Sequence, residues 1–182
     1  MGLKFRWFRE ALPSQQMALA MIGAKPGDRV VVIGAGDGRL AAAVALVTGL
    51  NGTTRVVDPR PGIGAVVDAA AAREGALLEF DAAPATRLAD ADGTADVVVL
   101  NQWFAALDGH ARDGVCDEAR RVLRSGGRLI VIDGVRRRWW GRRGRSAGSS
   151  AVIDTMRRAG FRTVRELADA EGVAFVEAFK TS

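Results

Sequence analysis

Five residues, Arg29-Val30-Val31-Val32-Ile33, run directly into Gly34-Ala35-Gly36-Asp37-Gly38, and no other stretch constrains the chain as much. The β-branched run reads as a strand buried on both faces. The alternate glycines break it where a backbone must turn tightly or approach a ligand closely. An Ala/Val/Leu segment of helical length, residues 40–50, follows. The glycine loop therefore joins a strand to a helix. In open α/β sheets ligands sit at this end of the strands, near the point where strand order reverses.

The rest of the chain continues the alternation. Residues 53–58, 76–80, 95–100 and 128–133 read as strands, and residues 64–73, 113–124 and 149–159 as helices. The helix at 113–124 is expected to end at Ser125-Gly126-Gly127, and that at 149–159 at Gly160. Two last strands, 163–167 and 173–179, flank a hairpin turn at 169–172. Upstream, Pro13-Ser14 splits residues 5–22 into two pieces, with Ser14 as N-cap of the second. The expected fold is Rossmann-like α/β: a doubly wound, mostly parallel seven-stranded sheet with helices on both faces and a C-terminal antiparallel β-hairpin. The first five strands are expected to be separated by helices. Residues 1–25 form an N-terminal helical cap segment, and residues 26–182 form the one domain.

Composition narrows the function classes. A length of 182 residues suits one domain. The single cysteine, Cys116, leaves no intrachain disulfide framework and reads as a buried small apolar group. The single histidine, His110, leaves no multi-His metal cage. No apolar run approaches the roughly 18–20 residues of a spanning helix. The first ten residues lack the apolar core of a secretion signal, so cytoplasmic residence is expected. Basic residues are nearly all Arg, and Ala and Gly are abundant, which is a bacterial-type composition from a GC-rich genome. Six of the arginines stand between Arg136 and Arg145, enough to account for the whole net charge of +5. The basic character is thus local.

A dinucleotide loop would read G-x-G-x-x-G. Here the third glycine comes one position early, and Arg39 stands where that loop has glycine. No G-K-[ST] follows, which excludes a P-loop. The G-x-G-x-G spacing of Gly34, Gly36 and Gly38 instead resembles motif I of the class I S-adenosylmethionine-dependent methyltransferases, in a small, single-domain form. The resemblance runs from about Pro26 to Phe179. It takes in Pro26-Gly27-Asp28-Arg29-Val30, Val56-Val57-Asp58, Phe80-Asp81-Ala82, Ala95-Asp96-Val97-Val98-Val99-Leu100-Asn101 and the stretch from Glu118 through Gly126-Gly127 to Val131.

The resemblance implies S-adenosylmethionine as cofactor, with S-adenosylhomocysteine as product. It implies that Gly34, Ala35, Gly36 and Gly38 cradle the cofactor. Asp58, with Pro59 beside it, would take the ribose hydroxyls, a task suited to an acceptor-only carboxylate. Asp81 and Ala82 would face the adenine side, and Asn101 the methionine part. One position departs from the pattern: motif I carries an acid two residues before its first glycine, and this chain has Val32. Losing a charge-assisted hydrogen bond costs on the order of 1.5–3 kcal/mol, a tenfold to hundredfold loss of affinity. Asp96, at a strand start, reads as a surface charge.

Methyl transfer from a sulfonium needs alignment and exclusion of water, and a base only where the nucleophile must lose a proton. The candidates for such a group are His110, in the loop after the fourth strand, and Asp133, at the end of the fifth. Asn101-Gln102-Trp103-Phe104 lacks the two prolines of amino-methylating DNA enzymes. Trp103 and Phe104 suit either a pocket wall or core packing. The Arg/Trp loop of residues 136–150 reads as a solvated loop, a nucleic-acid contact or a contact with an anionic membrane surface or lipid-like substrate. Phe5-Arg6-Trp7-Phe8-Arg9 repeats its style. The expected function is methyl transfer to a small or lipid-like acceptor, in an enzyme that is cytoplasmic or peripheral to the membrane and open to homo-oligomerisation. A non-catalytic binding or scaffolding protein of the same fold is the alternative, as is a nucleic-acid methyltransferase using the Arg/Trp loop.

Overall fold

A computed structural model of the chain describes residues 15–102, 104, 107–134, 147–170 and 173–181. The elements run α1 (Gln15–Ile22), β1 (Arg29–Ile33), α2 (Arg39–Thr48), β2 (Thr53–Val57), α3 (Ile63–Glu74), β3 (Glu79–Asp81), β4 (Ala95–Asn101), α4 (Gly109–Val122), β5 (Leu123–Gly134), α5 (Ala147–Arg158), β6 (Thr163–Ala170) and β7 (Val173–Phe179). The strands form one seven-stranded sheet in the order β3-β2-β1-β4-β5-β7-β6. Pairing is parallel from β3 through β5. It is antiparallel between β5 and β7 and between β7 and β6. The fold is the Rossmann-like sheet expected from the sequence, with β7 as the one reversed strand.

Two apolar layers cover the sheet. Val30 and Val32 of β1, Val97 and Val99 of β4, and Ile130 and Ile132 of β5 join Ala18, Ile22, Ala41, Val44 and Val67 from α1, α2 and α3. Val31, Ile33, Val98, Leu100, Leu129 and Val131 face the other way, onto Val115, Cys116, Ala119, Val152 and Met156 of α4 and α5. Alternate residues of one strand thus feed opposite layers, each fully shielded. This is why the strands are written as unbroken Val/Ile/Leu runs. Cys116 is fully buried, and burial pushes its thiol up to about 12, with the nearby acids Asp117 and Asp113 adding to the shift.

Several boundaries differ from the sequence reading. The third strand is Glu79–Asp81, three residues long and displaced towards the carboxyl side. No helix separates β3 from β4: residues 82–94 cross the sheet as turns, bends and irregular chain. Ala85 and Leu88 plug that crossing into the core. The Leu88 amide donates to Glu118 Oε1 (2.8 Å), and Arg121 Nη2 donates to the Leu88 carbonyl (3.0 Å). Side-chain anchors replace the helix. Ser125-Gly126-Gly127 does not end α4 as a free turn but lies inside β5. The Gly126 amide donates to the Lys180 carbonyl, and the Lys180 amide to the Gly127 carbonyl. A Cβ on Gly127 would stand 2.9 Å from the Arg124 carbonyl oxygen, so this kink admits only glycine. The predicted N-cap Ser14, the hairpin residues 171–172, Trp103, the aromatic-basic residues 5–9 and the Arg-rich residues 136–145 lie outside the described residues.

Asp96 is more than a surface charge. It accepts from the Arg29 amide (2.8 Å) and from Arg124 Nε (2.6 Å), tying the entry of β1 to that of β5. At the same end of the sheet, in register with Val97, Arg128 donates to the Ile22 and Gly23 carbonyls and pairs with buried Glu177, which fixes the C-terminus of α1 to the sheet.

Gly38 has φ +80°, and a Cβ there would stand 2.8 Å from Ala70 Cβ and 3.1 Å from Val67 Cα. Gly27 has φ +89° with open space around it. Gly27→Ala therefore pays backbone strain alone, about 1 kcal/mol, whereas Gly38→Ala adds an α2–α3 clash and loses about 2–4 kcal/mol. Urea unfolding of the two variants measures the difference; equal losses would contradict the close helix contact.

Candidate functional site

Strand order reverses between β1 and β4, which are neighbours although their connections leave in opposite directions. The carboxyl ends of these strands carry Gly34 and Asn101. The open crevice of a doubly wound sheet lies at this point. Gly34, Gly36 and Gly38 all have positive φ (+91°, +59° and +80°). The loop therefore follows a path that only glycine takes without strain. Its glycines differ in duty. Gly36 is exposed, and a Cβ there would meet only Asn101 Nδ2 at 3.3 Å. Gly38 is buried against α3, so its missing side chain serves helix packing.

Two side chains hold the loop from neighbouring strands. Asn101, buried at the end of β4, donates from Nδ2 to the Gly34 carbonyl (3.1 Å). Asp58, just past β2, accepts from the Ala35 amide at Oδ2 (2.9 Å). The Gly34 amide donates to the Val57 carbonyl (3.0 Å), and the Asp58 amide to the Asp81 carbonyl (3.1 Å). The ends of β3, β2, β1 and β4 are thus one hydrogen-bonded edge, with Asp81, Asp58, the glycine loop and Asn101 in that order. The structure brings these predicted residues together. Pro59 and Ala82 are exposed beside their acids.

Asp58 has no solvent exposure, yet it carries four donors. Besides Ala35, the Arg60 amide donates to Oδ1 (3.0 Å), Arg60 Nε to Oδ1 (2.9 Å) and Arg60 Nη2 to Oδ2 (2.6 Å). Burial alone would raise its pKa. The hydrogen bonds from the Arg60 side chain and from the Ala35 and Arg60 amides outweigh that and hold the carboxyl below its ordinary value. Sequence reasoning missed Arg60; its only signal was a basic residue two places after the acid.

Val32, at the departure from motif I, is fully buried among the apolar residues of the α1–α2–α3 layer. It fills a hydrophobic slot and contributes no polar group to the loop. Gln102, next to Asn101, was also missed: it has φ +53°, uncommon for a residue with a side chain, and its amide donates to the Ile132 carbonyl (2.7 Å). Arg39 opens α2 and pairs with Asp37 (2.7 Å). An open groove of about 510 Å³ runs beside this pair along Val66, Ala70 and Arg73.

The two catalytic candidates, His110 and Asp133, stand on elements at the carboxyl edge of the sheet. His110 is exposed in the first turn of α4, which Asp108 caps by accepting from the Ala111 amide (2.8 Å). Asp133 is half-buried near the end of β5, opposite Ala174 of β7. Phe104 is buried in the α4–α5 layer, where it packs in the core. Among the described residues, no three His, Cys, Asp or Glu side chains are placed to hold a metal ion, and no helix is long and apolar enough to cross a membrane.

The edge fits an adenosine-bearing cofactor. A buried, ionised carboxylate stands beside a glycine loop whose central residue is exposed, and a second carboxylate follows on the next strand. Comparisons with known proteins agree. Residues 30–127 match the family described as a methyltransferase domain. The chain is 32% identical over 133 residues to the demethylmenaquinone methyltransferase of Beutenbergia cavernae, an alignment over 73% of this chain and 49% of that protein. It thus spans about half the length of the curated relative it matches. Among solved structures it resembles a SAM-dependent methyltransferase from Aquifex aeolicus, at 20% identity and TM-score 0.79 over 95% of this chain and 93% of that one. It also resembles the [4+2]-cyclase SpnF, at 19% identity and TM-score 0.72 over 92% and 79%. At such identities the two structures speak to the fold.

Asp58's lowered pKa has a stability consequence. The contribution of its ionised form is complete above the unfolded carboxyl's pKa, about 4, and is lost as pH falls through the lower folded value. Asp58→Asn is expected to lose about 1–3 kcal/mol at pH 7. The gap between wild type and variant should stay constant down to about pH 5 and shrink below about pH 4. Urea titrations across that range test this; a gap that widens on acidification would reverse the sign.

Proposed function

The chain belongs to the methyltransferase-domain family, the class I S-adenosylmethionine-dependent methyltransferases, and from that premise we propose that it methylates a small or lipid-like acceptor at the carboxyl edge of β1 and β4. The observation that carries the reading is the hydrogen-bonded edge itself: Asp58 buried and ionised beside the glycine loop, with Asn101 locking the loop from β4. When bound, the cofactor supplies an activated methyl group on a sulfonium.

The chain's residues have the remaining work. Gly34, Ala35 and Gly36 offer backbone to the cofactor, and Gly38 lets α2 and α3 close behind the loop. Asp58 takes the ribose hydroxyls, with Pro59 fixing the turn after it. Asp81 and Ala82 border the adenine side. Asn101 keeps the Gly34 carbonyl aligned and so sets the path of the loop beside the methionine part. Where the acceptor must lose a proton, His110 and Asp133 are the titratable groups at this edge. Among the described residues, those just after β4 (residues 107–112) stand at the edge where the acceptor would be held. The name of the Beutenbergia cavernae relative supports a lipid-like acceptor, of which demethylmenaquinone is the example. The Arg/Trp residues between Arg136 and Arg145 connect the carboxyl end of β5 to α5, and their composition suits an anionic lipid surface. This reading places the enzyme in the cytoplasm, at the membrane face.

A second reading rests on Val32, buried where motif I carries an acid: a non-catalytic binding or scaffolding protein of this fold.

Calorimetric titration with S-adenosylmethionine and S-adenosylhomocysteine, with NADH as control, tests the cofactor. We expect micromolar binding of both adenosyl ligands, none of NADH, and at least about a tenfold loss in Asp58→Ala. Unchanged affinity in that variant would remove Asp58 from the ribose. Transfer of a labelled methyl group to a demethylated quinone, and not to RNA, would support the lipid-like acceptor; the reverse preference would overturn it.

A further inference from the structure

The Asp58 carboxylate is saturated by the protein's own donors. A carboxylate offers about four acceptor positions across its two oxygens. Oδ1 accepts from the Arg60 amide and Nε, and Oδ2 from the Ala35 amide and Arg60 Nη2. Two of these donors are backbone groups fixed by the glycine loop and by the turn after β2. The other two belong to one guanidinium. Asp58 itself has no exposed surface, so it relies on the protein for every partner. The Arg60 side chain is 51% exposed.

We propose that Arg60 is an intramolecular competitor for the ribose subsite: its guanidinium occupies Asp58 in the ligand-free protein and swings out when a nucleoside's ribose takes the same carboxylate oxygens. The proposal rests on the adenosyl-cofactor reading of the site and concerns what sets affinity there.

Local sequence makes the exchange cheap in backbone terms. Pro59 and Pro61 flank Arg60 in Asp58-Pro59-Arg60-Pro61-Gly62, each with φ held by its ring. The turn keeps its shape, so the Arg60 amide stays on Oδ1 while the side chain leaves. Half of that side chain already meets water, so the freed guanidinium is solvated in its new position. Two guanidinium donors are replaced by two ribose hydroxyls, and the buried charge is never left bare. This removes the largest cost that a buried carboxylate imposes on an empty site.

Two consequences follow. Cofactor affinity is lower than the carboxylate alone would give, because the ligand must displace a charge-assisted pair. Ligands without the ribose diol are excluded, since they cannot repay the displaced donors. Arg60 therefore acts as a specificity-determining residue of the cofactor site, through competition and without a contact to the ligand.

The test is calorimetric titration of the full chain with S-adenosylhomocysteine, for wild type, Arg60→Ala and Arg60→Gln, with thermal melts of each in the ligand-free and saturated states. Both variants are expected to bind about tenfold tighter than wild type. Arg60→Ala should melt lower than wild type when empty, and saturation should close most of that gap. Binding seen only in the variants would support the proposal in its strongest form. Equal or weaker binding in a folded variant would overturn it. Should Arg60→Ala fail to fold, Arg60→Gln decides, since its amide can still donate to Oδ1. Absence of binding in all three folded proteins would remove the adenosyl-cofactor reading, and with it the competition, whereas wild-type binding with no gain in the variants removes the competition alone.

Discussion

A charge with no exposure to solvent must be answered by the protein around it. Asp58 is that charge here, and the neighbouring structure is arranged to answer it. Its carboxylate reaches from the end of β2 to the Ala35 amide in the loop after β1, and it draws in Arg60 from its own turn. Its amide holds the end of β3 through the Asp81 carbonyl. Three strand ends and the glycine loop are therefore positioned by one residue. Asn101 adds the fourth strand from the other side. The backbone of the edge is held by bonds the protein already makes, so little backbone ordering is left to a ligand.

That arrangement needs a rigid platform behind it. The platform is a sheet whose central strands bury both faces, with α1, α2 and α3 on one side and α4 and α5 on the other. Val32 belongs to this platform. Where the family carries an acid, this chain has an apolar residue fully enclosed in the α1–α2–α3 layer. The loop is steered instead by Asn101 and Asp58, one from each neighbouring strand.

The central strands were legible because double burial writes an unmistakable pattern: Arg29–Ile33 and Val173–Phe179 lie where their Val, Ile and Phe residues place them. The glycine loop and Asp58 were legible because turn chemistry and the end of a strand fix where they must stand. Other features depend on contacts far apart in the chain. Gly126 and Gly127 look like a helix stop, yet pairing with Lys180 draws them into β5. Residues 82–94 have neither helical periodicity nor a strand pattern, and their path is set by Glu118 and Arg121 on α4. Asp96 reads as a surface acid until β1 and β5 bring the Arg29 amide and Arg124 to it. Arg60 was hidden for a related reason. Whether an arginine pairs with an acid two residues away depends on how deeply that acid is buried, and burial is a property of the fold.

The account makes Asp58 the point where protein and cofactor exchange partners. A crystal structure of the chain with S-adenosylhomocysteine tests this most directly. The account predicts ribose hydroxyls on Asp58 Oδ1 and Oδ2, the Arg60 guanidinium turned away into solvent, and the ligand's amino-acid part along the Gly34–Gly36 backbone. A ligand bound elsewhere, or one bound while Arg60 still grips both oxygens of Asp58, would contradict it.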